Sequence, residues 1–187
     1  MRISKEPEVR KQEMIDTAMK VFARKGYEAT SMTDIAKEMN VVSGLCYRYF
    51  KSKHELYEIA VEMYAKECSA PVIQILTQEG LTLEGYIERL EKNFITTDGK
   101  EKYHDFFHQA ENVMFHQQLE LKMLKIVMPH MINFLENMKK QGEIQIDDTE
   151  SVAKFILYGQ MPIINDETIT TAEKVKKIDK ILKKILS

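Results

Sequence analysis

Apolar residues recur three and four positions apart along most of the chain, and no convincing alternating run interrupts them. That regularity restricts the fold to packed helices. Glycine and proline agree with it: 7 and 4 residues in 187, roughly half of the ~7% and ~5% of average usage, leave few places to turn. The length can bury a sizeable core without disulfides or metals, ~70% of the unfolded surface for domains near 150 residues.

The glycines mark most of the breaks, and between them the spacing predicts a series of helices. A first helix is predicted from about Glu8 to Lys25, with Met14 (or Ile15), Ala18 (or Met19) and Phe22 on its apolar stripe and Gly26 as a left-handed stop. Ser31 and Asp34 read as a capping box opening a short helix, Met32 to Met39. Asn40, which tolerates positive φ, makes the turn to a third, Ser43 to Phe50. Ser52 caps a long helix from Lys53 to about Cys68, ending before Pro71. Further helices are predicted near 71–78, 82–96, 100–113, 116–141, 149–161 and 170–186, with Pro129 kinking the long one and Pro162 ending or bending the next.

Residues 32–51 have the spacing of a helix-turn-helix. Ala36 is small enough to let two short helices cross closely. Ile35 and Met39 bury the first, and Val41, Cys46 and Phe50 pack the second. Ser43, Gly44, Leu45, Tyr47, Arg48 and Tyr49 remain outward, on an element of the kind that enters a major groove. The charge is divided to match. The net of −2 excludes a uniformly basic coat protein. Residues 1–53, however, hold 11 Lys and Arg against 7 acids, a net of +4, leaving 16 against 22 in the remainder. Phosphate contact is thus expected at one end only.

The segment from Arg10 through Tyr64 resembles the DNA-binding domain of TetR-family transcriptional regulators. The residues that carry the likeness are Ile15, Ala18, Phe22, the run from Lys25 to Ser31, Asp34-Ile35-Ala36, Val41, Gly44, Tyr47-Arg48-Tyr49-Phe50, Ser52-Lys53 and Leu56. The resemblance implies an all-α protein. An N-terminal three-helix DNA-binding domain (1–52) is joined by a long helix to a helical domain (53–187) that binds a small molecule and dimerises. It implies DNA contact by Ser31, Thr33, Ser43, Gly44, Leu45, Tyr47, Arg48, Tyr49 and Lys53. The implied partners are double-stranded operator DNA, a small-molecule effector and a second copy of the chain. The implied action is that of a repressor released from a pseudo-palindromic operator. Three positions depart from the family pattern: Val42 replaces the usual Ser N-cap, leaving Ser43 to take over the cap, and Ser43 and Leu45 stand where longer or more polar residues are common. Direct hydrogen-bond readout is correspondingly reduced, and Leu45 is suited to a thymine methyl.

The C-terminal two-thirds carry no motif that names a ligand. They are rich in Met and aromatic residues, which suit an adaptable apolar cavity but equally an ordinary core. Met63, Tyr86, Tyr103, Phe107, His108, Glu111, Met128 and Phe155 are the effector-site candidates. Val152, Phe155, Ile156, Gly159 and Ile163 are the candidates for the dimer seam.

His104, His108 and Glu111 share one face of a predicted helix, so a metal-binding or catalytic helical bundle is the alternative reading. A solvated face fits the same spacing. Glu101 and His104 form only half of a di-iron motif, and no nucleophile elbow, P-loop, dinucleotide fingerprint or HExxH occurs. Neither an enzyme, a cofactor nor a resident metal is expected.

The lysine-rich amphipathic stretch 170–186 reads as a packed helix rather than a membrane-surface one. Two cysteines without CxxC spacing, no apolar leader and no 18-residue apolar run make the cytoplasm the expected location and a membrane an unexpected partner.

Overall fold

A computed structural model describes residues 6–109 and 112–186. All regular structure among them is helical: α1 (Pro7–Lys25), α2 (Met32–Glu38), α3 (Ser43–Tyr49), α4 (Lys53–Leu76), α5 (Leu83–Thr97), α6 (His104–Phe107), α7 (Val113–Gln141), α8 (Thr149–Gly159), α9 (Met161–Ile164) and α10 (Thr171–Ile185). Two compact units are formed. One comprises residues 1–65 with 103–119, the other 66–102 with 120–187. The N-terminal unit therefore recruits a segment from beyond residue 100, and α4 and α7 each contribute to both units.

In the first unit α1 buries Met14, Ile15, Ala18, Met19, Val21 and Phe22. It stops at Gly26, whose φ of 80 is positive as expected, but whose ψ of 155 sends the chain off extended instead of curling it into a left-handed cap. A side chain there would be strained. The capping box is formed in full: the Asp34 N–H donates to Ser31 Oγ at 3.1 Å, and the Ser31 N–H to Asp34 Oδ2 at 2.9 Å. Asp34 also accepts from Lys25 Nζ at 2.8 Å, tying the end of α1 to the start of α2. Arg24 adds a second tie across the same helices, 2.6 Å to Glu38. Asn40 sits at φ 53 in the turn to α3, and the Val41 N–H is taken up by the Ala36 carbonyl at 2.9 Å.

The second unit packs around Leu135, Met138 and Ala153, all 1% exposed or less, with Leu124, Val127, Met131 and Phe134 of α7 about them. The lysine-rich final helix belongs to this core through Leu182, Ile185 and Leu186. Its first turn is anchored by Asp98 at the end of α5, which accepts from Thr171 Oγ1 at 2.6 Å and lies 3.6 Å from the buried Lys174 ammonium.

Three predicted boundaries are corrected. The long helix does not end before Pro71; α4 runs through it to Leu76. A proline inside a helix costs roughly 3 kcal/mol, and the turns beyond it offset this by burying Val72, Ile73, Ile75 and Leu76 against the core. The helix predicted over 100–113 contracts to α6, because the buried Asn112 side chain donates to the Phe106 carbonyl at 2.7 Å and ends it. The stretch 149–161 divides at Gln160, and Pro162 falls in the first turn of α9, where a missing N–H is harmless. Pro129 lies within α7 on its exposed side.

The Asp34 carboxyl is held far below the ordinary carboxylate range, first by Lys25 and then by Ser31. A lowered folded value means that its stabilisation is full above the unfolded pKa of ~3.9 and declines as the pH falls further. Asp34→Asn should thus lower the thermal midpoint at pH 7. The gap to wild type should narrow steadily as melts are repeated below about pH 4; a gap constant with pH would refute the assignment.

Candidate nucleic-acid interface

The inner face of the α2–turn–α3 element is closed. Ile35 and Cys46 are fully buried, and Ala36 and Phe50 are 1% exposed. Burial pushes the Cys46 thiol pKa up, so it is an inert packing group. The outer edge is open: Ser31, Thr33, Gly44, Tyr47 and Arg48 are exposed, while Ser43, Leu45 and Tyr49 are half-buried. The structure thus brings the predicted DNA-facing residues of α2 and α3 onto one presented element. Ser43 does not take over the cap of α3. Val42 is the N-cap and its side chain makes no capping bond.

The cations of this unit are not equivalent. Arg24 and Lys25 are committed to Glu38 and Asp34. Lys53, at the start of α4, points its ammonium at the α1–α2 loop: Nζ lies 2.8 Å from the Tyr27 carbonyl, 3.4 Å from that of Glu28, and 4.2 Å above the Tyr27 ring. It clamps the loop that leads into α2, a role that nothing in its sequence neighbourhood announces. Lys37, Arg48 and Lys51 remain exposed.

Behind the clamp lies an aromatic cluster. Tyr57 meets Phe22, Tyr27 and Phe115 with ring centroids 5.6, 4.8 and 5.1 Å away, and Phe115 also meets Tyr27 at 5.1 Å. Phe115 comes from the recruited segment, so residues beyond 100 brace the helix-turn-helix from within its own unit. The same segment supplies Tyr103 and Phe107, which pack on Tyr64, whose hydroxyl accepts from the Tyr103 N–H at 3.2 Å.

The predicted effector residues do not gather in one place. Met63, Tyr103, Phe107 and His108 belong to the first unit, Tyr86 and Met128 to the second. Tyr103 and Phe107 are core, 8% and 2% exposed. Phe155 is 65% exposed, so it faces solvent rather than a cavity. Glu111 lies outside the described residues. A hollow of about 470 Å³ in the second unit is lined by Leu76, Thr77, Gln78, Glu79, Gly80, Tyr86, His130, Asn133, Phe134, Asn137, Met138 and Gln141. Tyr86 alone among the candidates reaches it, and its hydroxyl donates to the Gln78 carbonyl. The wall is richer in amides than the Met-lined cavity expected.

Of the dimer candidates, Ile156 is buried in the core of its own unit. Phe155 and Gly159 are exposed, with Tyr158 beside them, and Val152 and Ile163 are half-buried. His108 stacks on His104 at 4.0 Å and meets His116 at 4.5 Å. Among the described residues no group of three His, Cys, Asp or Glu is arranged to hold a metal ion, and no helix is long and apolar enough to cross a membrane.

Comparison with known proteins places this geometry. Residues 14–60 match the family described as bacterial regulatory proteins, tetR family. The HTH-type transcriptional regulator YuxN of Bacillus subtilis is 35% identical over 77 residues, 41% of this chain and 26% of that protein. The biofilm operon icaADBC HTH-type negative transcriptional regulator IcaR of Staphylococcus aureus is 40% identical over 52 residues, 28% of each chain. The chain thus matches about a quarter of the length of these curated relatives. Over nearly its whole length the fold resembles that of a protein assigned to the TetR family from Mesorhizobium loti (TM-score 0.76, 21% identity, 97% of both chains). A TetR-family regulator from Pectobacterium atrosepticum gives 0.72 and 21%, covering 96% of this chain and 95% of that one.

The Tyr57 hydroxyl is buried and finds no hydrogen-bond partner among the described residues. Removing an unsatisfied buried group relieves about 1–3 kcal/mol of desolvation, so Tyr57→Phe should raise the thermal midpoint by roughly 2–4 °C or more. A drop in the midpoint would mean that the hydroxyl is bonded.

Proposed function

We propose, from the match of residues 14–60 to the tetR family of bacterial regulatory proteins, that the chain is a ligand-responsive repressor acting as a symmetric homodimer on a pseudo-palindromic operator. The observation that carries the reading is the two-sidedness of the α2–α3 element, sealed within and open at Gly44, Tyr47 and Arg48. Repression is supported by IcaR, named as a negative regulator, among the relatives.

In this reading α3 enters the major groove, and Ser31, Thr33, Ser43, Leu45 and Tyr49 meet base edges, sugars or phosphates around it. Lys53 acts chiefly by holding the 27–28 loop, and the start of α4 with it, at the phosphate backbone. Two protomers pair through the exposed apolar side of α8 around Phe155, Tyr158 and Gly159, matching twofold protein to twofold DNA. The effector enters the hollow of the second unit. Its lining of Gln78, Asn133, Asn137 and Gln141 over Phe134 and Met138 suits a small molecule with both hydroxyl or amide groups and an apolar face. Effector binding releases DNA because the ligand prefers the conformation that DNA does not.

Fluorescence anisotropy with labelled duplex from the chain's own upstream region tests the reading. Binding is expected at low salt, falling steeply as salt rises. Arg48→Ala should weaken it about tenfold or more with the thermal midpoint unchanged. Absence of binding at low salt to both upstream DNA and a random-duplex pool would overturn the proposal.

A further inference from the structure

Helix α3 opens without a side-chain cap, as α1, α6 and α9 also do. Helices α2, α4, α5, α8 and α10 are each capped by a Ser, Thr or Asp side chain that accepts a backbone N–H: Ser31, Ser52, Thr82, Asp148 and Thr170. At α3 that position is Val42, in the extended conformation a cap requires but with nothing to accept with. Its side chain is 68% exposed. Two residues on stands Gly44, a poor helix former. A Cβ built there would meet no atom within 4 Å and its φ is not positive, so neither packing nor backbone geometry within the chain calls for glycine.

An uncapped start, an exposed valine and an unneeded glycine thus fall together on one edge, where a 3₁₀-type bond from the Leu45 N–H to the Val42 carbonyl at 2.9 Å is the bond formed in place of a side-chain cap. A surface brought close to that edge would cover the valine and use the room at the glycine. Gly44 removes the side chain that would hold such a surface away. Val42 and Leu45, three positions apart, are neighbours at the start of the helix and offer methyl groups together. The same edge offers one guanidinium, Arg48, and neither an amide nor a carboxylate side chain between residues 42 and 49. It is therefore unequipped to hold adenine in the bidentate way of Asn or Gln, or to accept from cytosine as Asp or Glu does. The base-edge group that apolar side chains can recognise in the major groove is the 5-methyl of thymine.

We propose that Val42, with Leu45, reads operator thymines through their 5-methyl groups, the bare Gly44 backbone letting the DNA come close, and that Val42 is thereby a specificity-determining residue. This rests on the DNA-binding reading above. The valine is favoured over a stabilising cap because its contact lies on the DNA.

The experiment uses the full-length protein to select duplexes from a random-sequence pool, then compares the selected duplex with copies in which single thymines are replaced by deoxyuridine, which removes the methyl alone. At one or more positions in each half-site the replacement should weaken binding about fourfold, the worth of one buried methyl. At the thymine that Val42 contacts, Val42→Ala should bind the thymine and deoxyuridine duplexes alike. Val42→Ser should lose the same preference while raising the thermal midpoint by about 2–4 °C, because the missing cap is restored. A wild-type protein that selects specific duplexes but binds their thymine and deoxyuridine forms equally overturns methyl readout and leaves DNA binding intact. Unchanged discrimination in both Val42 variants overturns the assignment to Val42. Failure to enrich any duplex overturns the DNA-binding reading and this inference with it.

Discussion

The packing of Phe22, Tyr27, Tyr57 and Phe115 around one another is the interaction from which the N-terminal unit is organised. Each ring arrives from a different stretch: the end of α1, the loop after it, the first turns of α4 and the first turn of α7. Edge-to-face and tilted pairs of this kind contribute ~0.5–1.5 kcal/mol each beyond the area they bury. Their larger effect is geometric. With the loop after α1 gripped between Lys53 above and the rings beneath, the Ser31 cap can stand only where the loop delivers it, and α2 and α3 follow.

The clamp also reshapes the electrostatics. A net of +4 over residues 1–53 suggests a broad basic face, yet Arg24, Lys25 and Lys53 are spent on partners inside the unit. The cations that face solvent from the helix-turn-helix are Lys37, Arg48 and Lys51. Charge at the presented edge is sparse and localised, which favours register-specific contacts over diffuse attraction to any polyanion.

What was legible in the sequence was local. The Ser31–Asp34 box, the Asn40 turn and the buried trio Ile35, Ala36 and Cys46 are set by neighbours within a few residues, and pattern reading finds them. Contacts spanning the chain leave no such trace: nothing near Phe115 announces Tyr27 or Tyr57, and nothing near Lys53 announces the Tyr27 carbonyl. Proline at 71 was a misleading signal, because the burial of Val72, Ile73, Ile75 and Leu76 outweighs a local defect. The effector candidates do not gather in one place for a related reason. Aromatic residues at helical spacing look the same whether they line a hollow or fill a core, and Tyr103 and Phe107 fill one. The amide-rich wall of the actual hollow carries no periodic signature.

The recruitment of residues 103–119 into the N-terminal unit has a consequence for how the protein is made. During synthesis the helix-turn-helix emerges before the rings that finish its support, which follow only after residues 66–102. At the usual ~5–20 residues per second, that is an interval of several seconds. Over that interval Tyr27 and Tyr57 lack Phe115 as a packing partner. The helix-turn-helix is thus translated well before the stretch that completes its support has left the ribosome.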